Sequence, residues 1–317
     1  MDRSDAPGVT RIPIALTIAG SDSGGGAGIE ADLRTFAALG VYGAAAITAL
    51  TAQNTRGVRS IHYAPANVVG AQIDAVLEDF NVAAVKIGML GSAAIVAAMA
   101  ERLGALPSPL AIEGPGARGP RWERSLSRAE PLIRPRYTRP PSPASGEGNG
   151  TFIVYDPVMA ASSGAALSGA GFVEAVRAEL LRLVDLLTPN LAEAAALLDD
   201  QIARNEADMA QQGRALIALG AGAVLVKGGH LPGEDAVDLL VTTDAVCRLA
   251  APRLDSPNLH GTGCTLSSAI AAHVVLGKPL PEAVAAAKAF VREAIEEGRC
   301  LSLGNGPGPI IQSRLRG

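Results

Sequence analysis

Aromatic residues make up only 3% of this 317-residue chain, and tryptophan occurs once, at Trp122. With so few stacking surfaces, a net charge of −4 and no stretch that interleaves basic with aromatic residues, the chain is not expected to bind nucleic acid. Cysteine is equally sparse. Cys247, Cys264 and Cys300 are scattered, make neither a disulfide framework nor a metal-ligand spacing, and suit a reducing compartment. Long apolar runs are missing as well: Ile12 to Ala19 is too short to span a bilayer, and the preceding MDRSDAPGVTR has no signal-peptide pattern, so a cytoplasmic location is expected. Charged residues are scarce at 18% while hydrophobic ones reach 48%, which leaves ample material for a buried core.

Glycine is abundant, at 36 residues, and it is concentrated where chemistry gathers. In NLHGTGCTLSSAIAA, residues 258 to 272, a glycine-rich turn runs into a small-residue helix. The first ~four N–H groups of such a helix lack intrahelical partners and add to the positive end of its dipole, so its mouth attracts anions. Gly261 and Gly263 remove the Cβ atoms that would block a close approach. A second loop, GSDSGGGAGIEADL, follows the apolar run PIALTIA. It is neither a P-loop, since no Gly-Lys-Ser/Thr follows, nor a dinucleotide fingerprint.

Between these loops strands and helices alternate. Strands are expected at 13–19, in AAAITAL before TAQNTRG, at 82–87, in FIVYDPVM, in VDLLTPN and in AVLVKGG, with AVDLLV and AVCRLA as a late antiparallel hairpin. Helices are expected at 29–39 with Gly40 as a left-handed cap, at 73–80, 92–103, 170–183 and 191–198, from the glycine-rich mouth onward, and at 281–297 with Gly298 past its end. Repeated βα units imply a mostly parallel sheet covered on both faces, a single α/β domain with its core over about 12–310. One stretch breaks the rhythm. Residues 107–150 hold nine of the 21 prolines, six glycines, and seven arginines against four glutamates, with no periodicity. A disordered insert is expected there, or else a lid. Every unusual loop falls at a strand's carboxyl end, where ligands collect in parallel sheets.

AGSDSGGGAGIEADL, ITALTAQNT, KIGMLG, DPVM, TPNLAEAAALL, VKGGH and HGTGCTLSSAIAA, in that order, resemble the hydroxymethylpyrimidine/phosphomethylpyrimidine kinases of thiamine biosynthesis, within the ribokinase-like superfamily. The resemblance spans nearly the whole chain outside the insert and the extreme ends. It implies a three-layer αβα sandwich and phosphorylation by ATP and Mg²⁺ of 4-amino-5-hydroxymethyl-2-methylpyrimidine and then of its monophosphate. It also implies a homodimer, with no membrane and no nucleic-acid partner.

The same resemblance implies roles for individual residues. Gly261, Thr262, Gly263 and the N–H of Cys264 form an anion hole. Cys264 serves as a base for the substrate hydroxyl, helped by a helix N-terminus that can bring a thiol from ~8.5 down to roughly 3.5–7.5. Gln53 reads the pyrimidine, with Asp32, Gly20, Ala27, Met89 and Val158 lining the same pocket. Lys227, Thr262 and Asn190 face ATP, and Asp156 and Glu193 hold Mg²⁺ largely through water. Asn190 and Glu193 also suit a helix N-cap, and Asp22 a loop stabiliser. His230 and His260 are expected to be loop hydrogen-bonders. The alternatives are a pyridoxine or pyridoxal kinase, which shares the G-T-G-C turn, and a non-catalytic vitamin-binding sensor.

Overall fold

The computed structural model describes residues 12–106, 150–160, 164 and 167–312. Nine strands form one sheet in the order β3-β2-β1-β4-β5-β6-β7-β8-β9. They are β1 (Ile14–Asp22), β2 (Tyr42–Asn54), β3 (Gly57–Tyr63), β4 (Val82–Ile87), β5 (Phe152–Tyr155), β6 (Leu186–Leu187), β7 (Ala223–Lys227), β8 (Asp235–Val241) and β9 (Val246–Pro252). The run from β2 to β7 is parallel, while β3, β8 and β9 pair antiparallel at the two ends. Strand β1 lies between β2 and β4, so the strand order reverses there and opens a crevice at the carboxyl ends.

Alternation along the strands feeds two cores. Leu16, Ile18, Val85, Ile87, Ile153 and Tyr155 point to a face covered by α2 (Ala66–Asp79), α3 (Ala93–Leu103), a composite α4, α5 (Leu191–Leu198) and α6 (Glu206–Ala218). The composite runs as an α-turn Phe172–Ala175, a π-turn Val176–Leu180 and a 3₁₀ turn Leu181–Leu183. Ala15, Ala84, Val154 and Leu225 point the other way, against α1 (Gly28–Ala38), α7 (Thr262–Val275) and α8 (Leu280–Gly298). The architecture is the expected three-layer αβα sandwich. Helix α7 is buried nearly all round by small residues such as Ala269, Ala271 and Ala272, which let it lie close to the sheet.

Several elements differ from expectation. TAQN is not a loop: Thr51–Asn54 continues β2 and pairs with β3, a strand whose half-exposed VRSIHY carries too little apolar signal to announce itself. Helix α2 begins at Ala66, ahead of the expected 73, and the polar α6 was not anticipated. Gly298 closes α8 from inside the helix. Strand β6 keeps only two ladder residues. The expected insert and Trp122 lie outside the described residues, apart from Gly150. No helix among the described residues is long and apolar enough to cross a membrane.

Candidate active site

The turn before α7 works because two of its residues have no side chain. Gly261 has φ +87°, and a Cβ there would collide with the carbonyl oxygen of Gly26. A Cβ on Gly263 would lie 3.3 Å from both Asp156 Oδ2 and Lys227 Nζ. The bare backbone therefore brings the helix mouth against a charged cluster. Thr262 N–H turns to the Leu259 carbonyl, and Thr265 N–H is the next spent inside the helix, on the Gly261 carbonyl at 2.9 Å. The N–H groups of Gly263 and Cys264 thus open the mouth.

Asp156 follows β5, Lys227 ends β7, and Glu193 sits in the first turn of α5. Lys227 Nζ donates to Asp156 Oδ1 at 2.6 Å and lies 3.9 Å from Glu193 Oε2. Asn190 caps α5 in a reciprocal box: its Oδ1 accepts from Glu193 N–H at 2.9 Å, and its N–H donates to Glu193 Oε2 at 2.7 Å. Burial pushes the Glu193 carboxyl up to about 7, and the Asp156 charge adds to the rise against the pull of Lys227. Burial would lower Lys227, but Asp156 and Glu193 outweigh it and hold the ammonium above its usual value.

A carboxyl raised on folding binds its proton more tightly in the native state. The stability Glu193 contributes to the ligand-free protein is then present below about pH 4.5 and lost as pH rises through about 7. Thermal melts of wild type and Glu193→Gln should show the wild-type advantage shrinking across that interval; a constant difference would contradict the placement. Among the described residues no group of three or more metal-type side chains gathers. The donor set nevertheless fits a nucleotide-borne divalent cation held through water. With both acids ionised the cluster has one negative charge in excess, while Lys227 and Asn190 already engage the carboxylate oxygens.

Behind the mouth lies a network that the sequence did not disclose. Lys86, in the middle of β4, is completely buried and donates to Asp32 Oδ2 at 2.8 Å. Thr17 Oγ1 donates to the same oxygen at 2.6 Å, and Ser268 Oγ to Oδ1 at 2.7 Å. Asp32 therefore does not line the cavity as expected: its carboxylate is fully enclosed and tied to β1, β4 and α7. Burial would lower Lys86, and the charge of Asp32 more than restores it.

Cys264 also departs from expectation. Its sulfur accepts the Gly28 N–H, yet burial pushes the thiol up to about 11, with Lys86 opposing and Asp32 and Asp156 adding to the rise. Burial and the two carboxylates thus favour the neutral thiol in the ligand-free protein over the expected thiolate. In alkylation by iodoacetamide at pH 8, exposed Cys300 should react well before half-buried Cys264. Faster labelling of Cys264, read by peptide mass spectrometry, would overturn this.

The acceptor side lies across the same cavity, whose volume is about 1270 Å³. That exceeds the ~300–1,000 Å³ of a single small-molecule pocket and leaves room for two ligands side by side. Gln53, Met89, Val158, Gly20 and Ala27 line it together with Gly261, Thr262, Gly263, Cys264, Asp156, Asn190, Glu193, Lys227 and Lys86. Met89 packs with Ala49 and Leu167, and a Cβ on Gly20 would lie 3.1 Å from its Cε. Asp22 is a loop fastener: Oδ1 accepts from Gly24 N–H at 2.8 Å, and Oδ2 from the N–H groups of Gly26 and Ala27 at 3.0 Å each. The glycine-rich loop is thus filled by its own carboxylate and offers no second anion hole. Sequence reasoning missed Lys86, although a lysine inside a buried strand is itself a signal. Near the chain's end, Pro307 also lines the cavity and Gly306 N–H donates to Thr55 Oγ1 at 3.1 Å.

Comparison with known proteins gives four likenesses. The family model described as phosphomethylpyrimidine kinase matches residues 22–112 and 146–311. A hydroxymethylpyrimidine/phosphomethylpyrimidine kinase of Rhizobium meliloti is 48% identical over 297 residues, covering 94% of this chain and 96% of that protein. Among solved structures, a phosphomethylpyrimidine kinase from Clostridium difficile superposes with TM-score 0.66 at 36% identity, over 89% of this chain and 99% of that one. A Bacillus subtilis pyridoxal kinase solved as an ADP complex gives TM-score 0.74 at 30% identity, over 95% and 98%.

Proposed function

The chain belongs to the phosphomethylpyrimidine kinase family, and from that premise we propose how its cavity phosphorylates 4-amino-5-hydroxymethyl-2-methylpyrimidine and then the monophosphate. The enzyme is an ATP-dependent kinase of thiamine biosynthesis. The observation that supports the residue assignment is the shared cavity: Gln53, Met89 and Val158 line it together with the Asp156–Lys227–Glu193 cluster, and the bare helix mouth at Gly263 lies against Asp156 and Lys227.

Phosphoryl transfer needs positioning and charge neutralisation more than covalent participation. The pyrimidine lies between Met89 and Val158, with its ring edge on Gln53 and its hydroxymethyl oxygen at Cys264. The N–H groups of Gly263 and Cys264 receive the transferring phosphoryl oxygens, and Thr262 and Asn190 flank the phosphate chain. Lys227 swings from Asp156 towards the phosphates as ATP enters. Asp156 and Glu193 would hold Mg²⁺ through water, and the ion would supply charge neutralisation for the phosphate oxygens. With a neutral thiol, Cys264 holds the acceptor oxygen by donating its S–H, and the hydroxyl proton leaves to a phosphate oxygen or to water as transfer proceeds, since a loose transition state makes little demand on a strong base. The family resemblance also carries a homodimer and a cytoplasmic location.

Gln53→Ala tests the pocket. Losing the paired edge should cost about 1–3 kcal/mol, raising the KM for the pyrimidine roughly 5- to 150-fold with the KM for ATP unchanged. Equal KM values for the pyrimidine in both proteins would remove Gln53 from the site. The likeness to a pyridoxal kinase favours one second reading, phosphorylation of pyridoxal in the same pocket. Steady-state ADP release with pyridoxal as acceptor measures it directly.

A further inference from the structure

Two contacts of the Gln53 carboxamide conflict with ordinary hydrogen bonding, and one change resolves both. Gln53 Nε2 lies 3.2 Å from His260 Nε2, and that imidazole nitrogen is also 2.9 Å from Asp22 Oδ2. Burial would raise Asp22, but hydrogen bonds from His260, Gly24 and Ala27 prevail and hold it below the usual carboxylate range. An ionised carboxylate only accepts, so His260 Nε2 must carry the proton it gives to Asp22. It then meets the Gln53 amide nitrogen donor to donor.

On the other side, Gln53 Oε1 lies 3.3 Å from Thr51 Oγ1. Thr51 has one hydroxyl proton, and it is directed at the Ser21 carbonyl at 2.9 Å. Thr51 Oγ1 therefore faces Gln53 with lone pairs, and an amide oxygen there is acceptor to acceptor. Turning the carboxamide by a half-rotation about its last bond, which exchanges two ends of nearly equal shape, places oxygen against the His260 N–H and NH₂ against the Thr51 lone pairs. Both contacts then become hydrogen bonds, the single His260 Nε2 proton being shared between Asp22 Oδ2 at 2.9 Å and the amide oxygen at 3.2 Å.

We propose that His260 is a specificity-determining positioning residue: it fixes the Gln53 carboxamide with oxygen on the His260 side and N–H on the Thr51 side, and so sets the donor–acceptor order that the cavity reads. The inference rests on Gln53 facing the pyrimidine. His260 is itself well fixed. Its N–H donates to Gly308 O at 3.2 Å, its carbonyl accepts from Ile310 N–H at 3.1 Å, and a Cβ on Gly26 would strike its ring.

The order matches the substrate's own. The hydroxymethyl carbon must face the α7 mouth, which His260 immediately precedes. The 4-amino group neighbours that carbon on the ring, so its N–H falls on the His260 side and meets the Gln53 oxygen. The adjacent ring nitrogen, an acceptor, falls further out and meets the Gln53 N–H. A 4-oxo ring in its lactam form presents N–H and C=O in the reverse order and is rejected.

The test is the ratio of kcat/KM for the 4-amino substrate to that for its 4-oxo analogue, measured in wild type, Gln53→Ala and His260→Phe, with the KM for ATP and thermal melting as controls. Wild type should discriminate strongly, and His260→Phe should cut the ratio about 10- to 100-fold by freeing the amide to turn. The double variant should match Gln53→Ala alone. Should His260→Phe fail to fold beside Gly26 and Pro309, His260→Asn takes less room, does not reach Gln53, and is expected to lose the ratio likewise. If Gln53→Ala keeps the full ratio, the pocket assignment itself is wrong. If Gln53→Ala loses the ratio while a folded His260 variant keeps it, or loses activity equally on both rings, the positioning role is overturned and the pocket assignment stands.

Discussion

Lys86→Met is expected to lower the unfolding free energy by about 3–5 kcal/mol, the range seen when one partner of a buried ion pair is removed. Lys86 and Asp32 both have 0% side-chain exposure, so the carboxylate left behind would have no solvent to compensate it. Thr17 and Ser268 would still donate to it, but two hydroxyl hydrogen bonds do not neutralise an enclosed charge. The double variant Lys86→Met/Asp32→Asn should lose clearly less than the sum of its parts, because asparagine keeps an acceptor for those hydroxyls without the charge. Urea denaturation of the three variants measures the coupling. A loss below about 1 kcal/mol for Lys86→Met, within the range of solvent-exposed pairs, would contradict the enclosure.

Gly261→Ala should reduce kcat/KM by at least about 10²-fold, comparable to removing a donor from an oxyanion hole. Alanine at φ +87° is strained, and its Cβ would push the turn off the Gly26 carbonyl, moving the N–H groups of Gly263 and Cys264 from the place where phosphoryl charge collects. Gly40→Ala is the matched control. It shares a positive φ, +78°, but nothing lies within 4 Å of its would-be Cβ and it is remote from the cavity. It should cost stability of about 1 kcal/mol from strain and leave turnover intact. Equal kinetics in the two variants would show that the turn does not need its shape.

The sheet and the site loops were legible because strand, glycine turn and helix follow one another at each carboxyl end, and the strand order confirms that those ends share a crevice. What escaped the sequence depends on direction. Asp32 was read towards the ligand, but Ile29, Asp32 and Phe36 are spaced to share one buried helix face, and that face meets β1, β4 and α7. Lys86 shares its strand parity with Ala84, on the face that α7 covers, so its partner could be found only once the layers were assembled. The thiol of Cys264 was expected to be acidified by its helix; its enclosure and two neighbouring carboxylates act in the opposite direction and prevail. The approach of Gly308 and Pro309 to His260 joins residues far apart in the chain, and no local pattern encodes it.

Phosphorus NMR of products formed from hydroxymethylpyrimidine and excess Mg-ATP tests the two-step kinase most directly. The account predicts a phosphomonoester signal that rises first and then gives way to a pyrophosphate ester, with ADP released at each step. No phosphorylated pyrimidine from either the alcohol or the added monophosphate, under conditions where pyridoxal is phosphorylated, would contradict it.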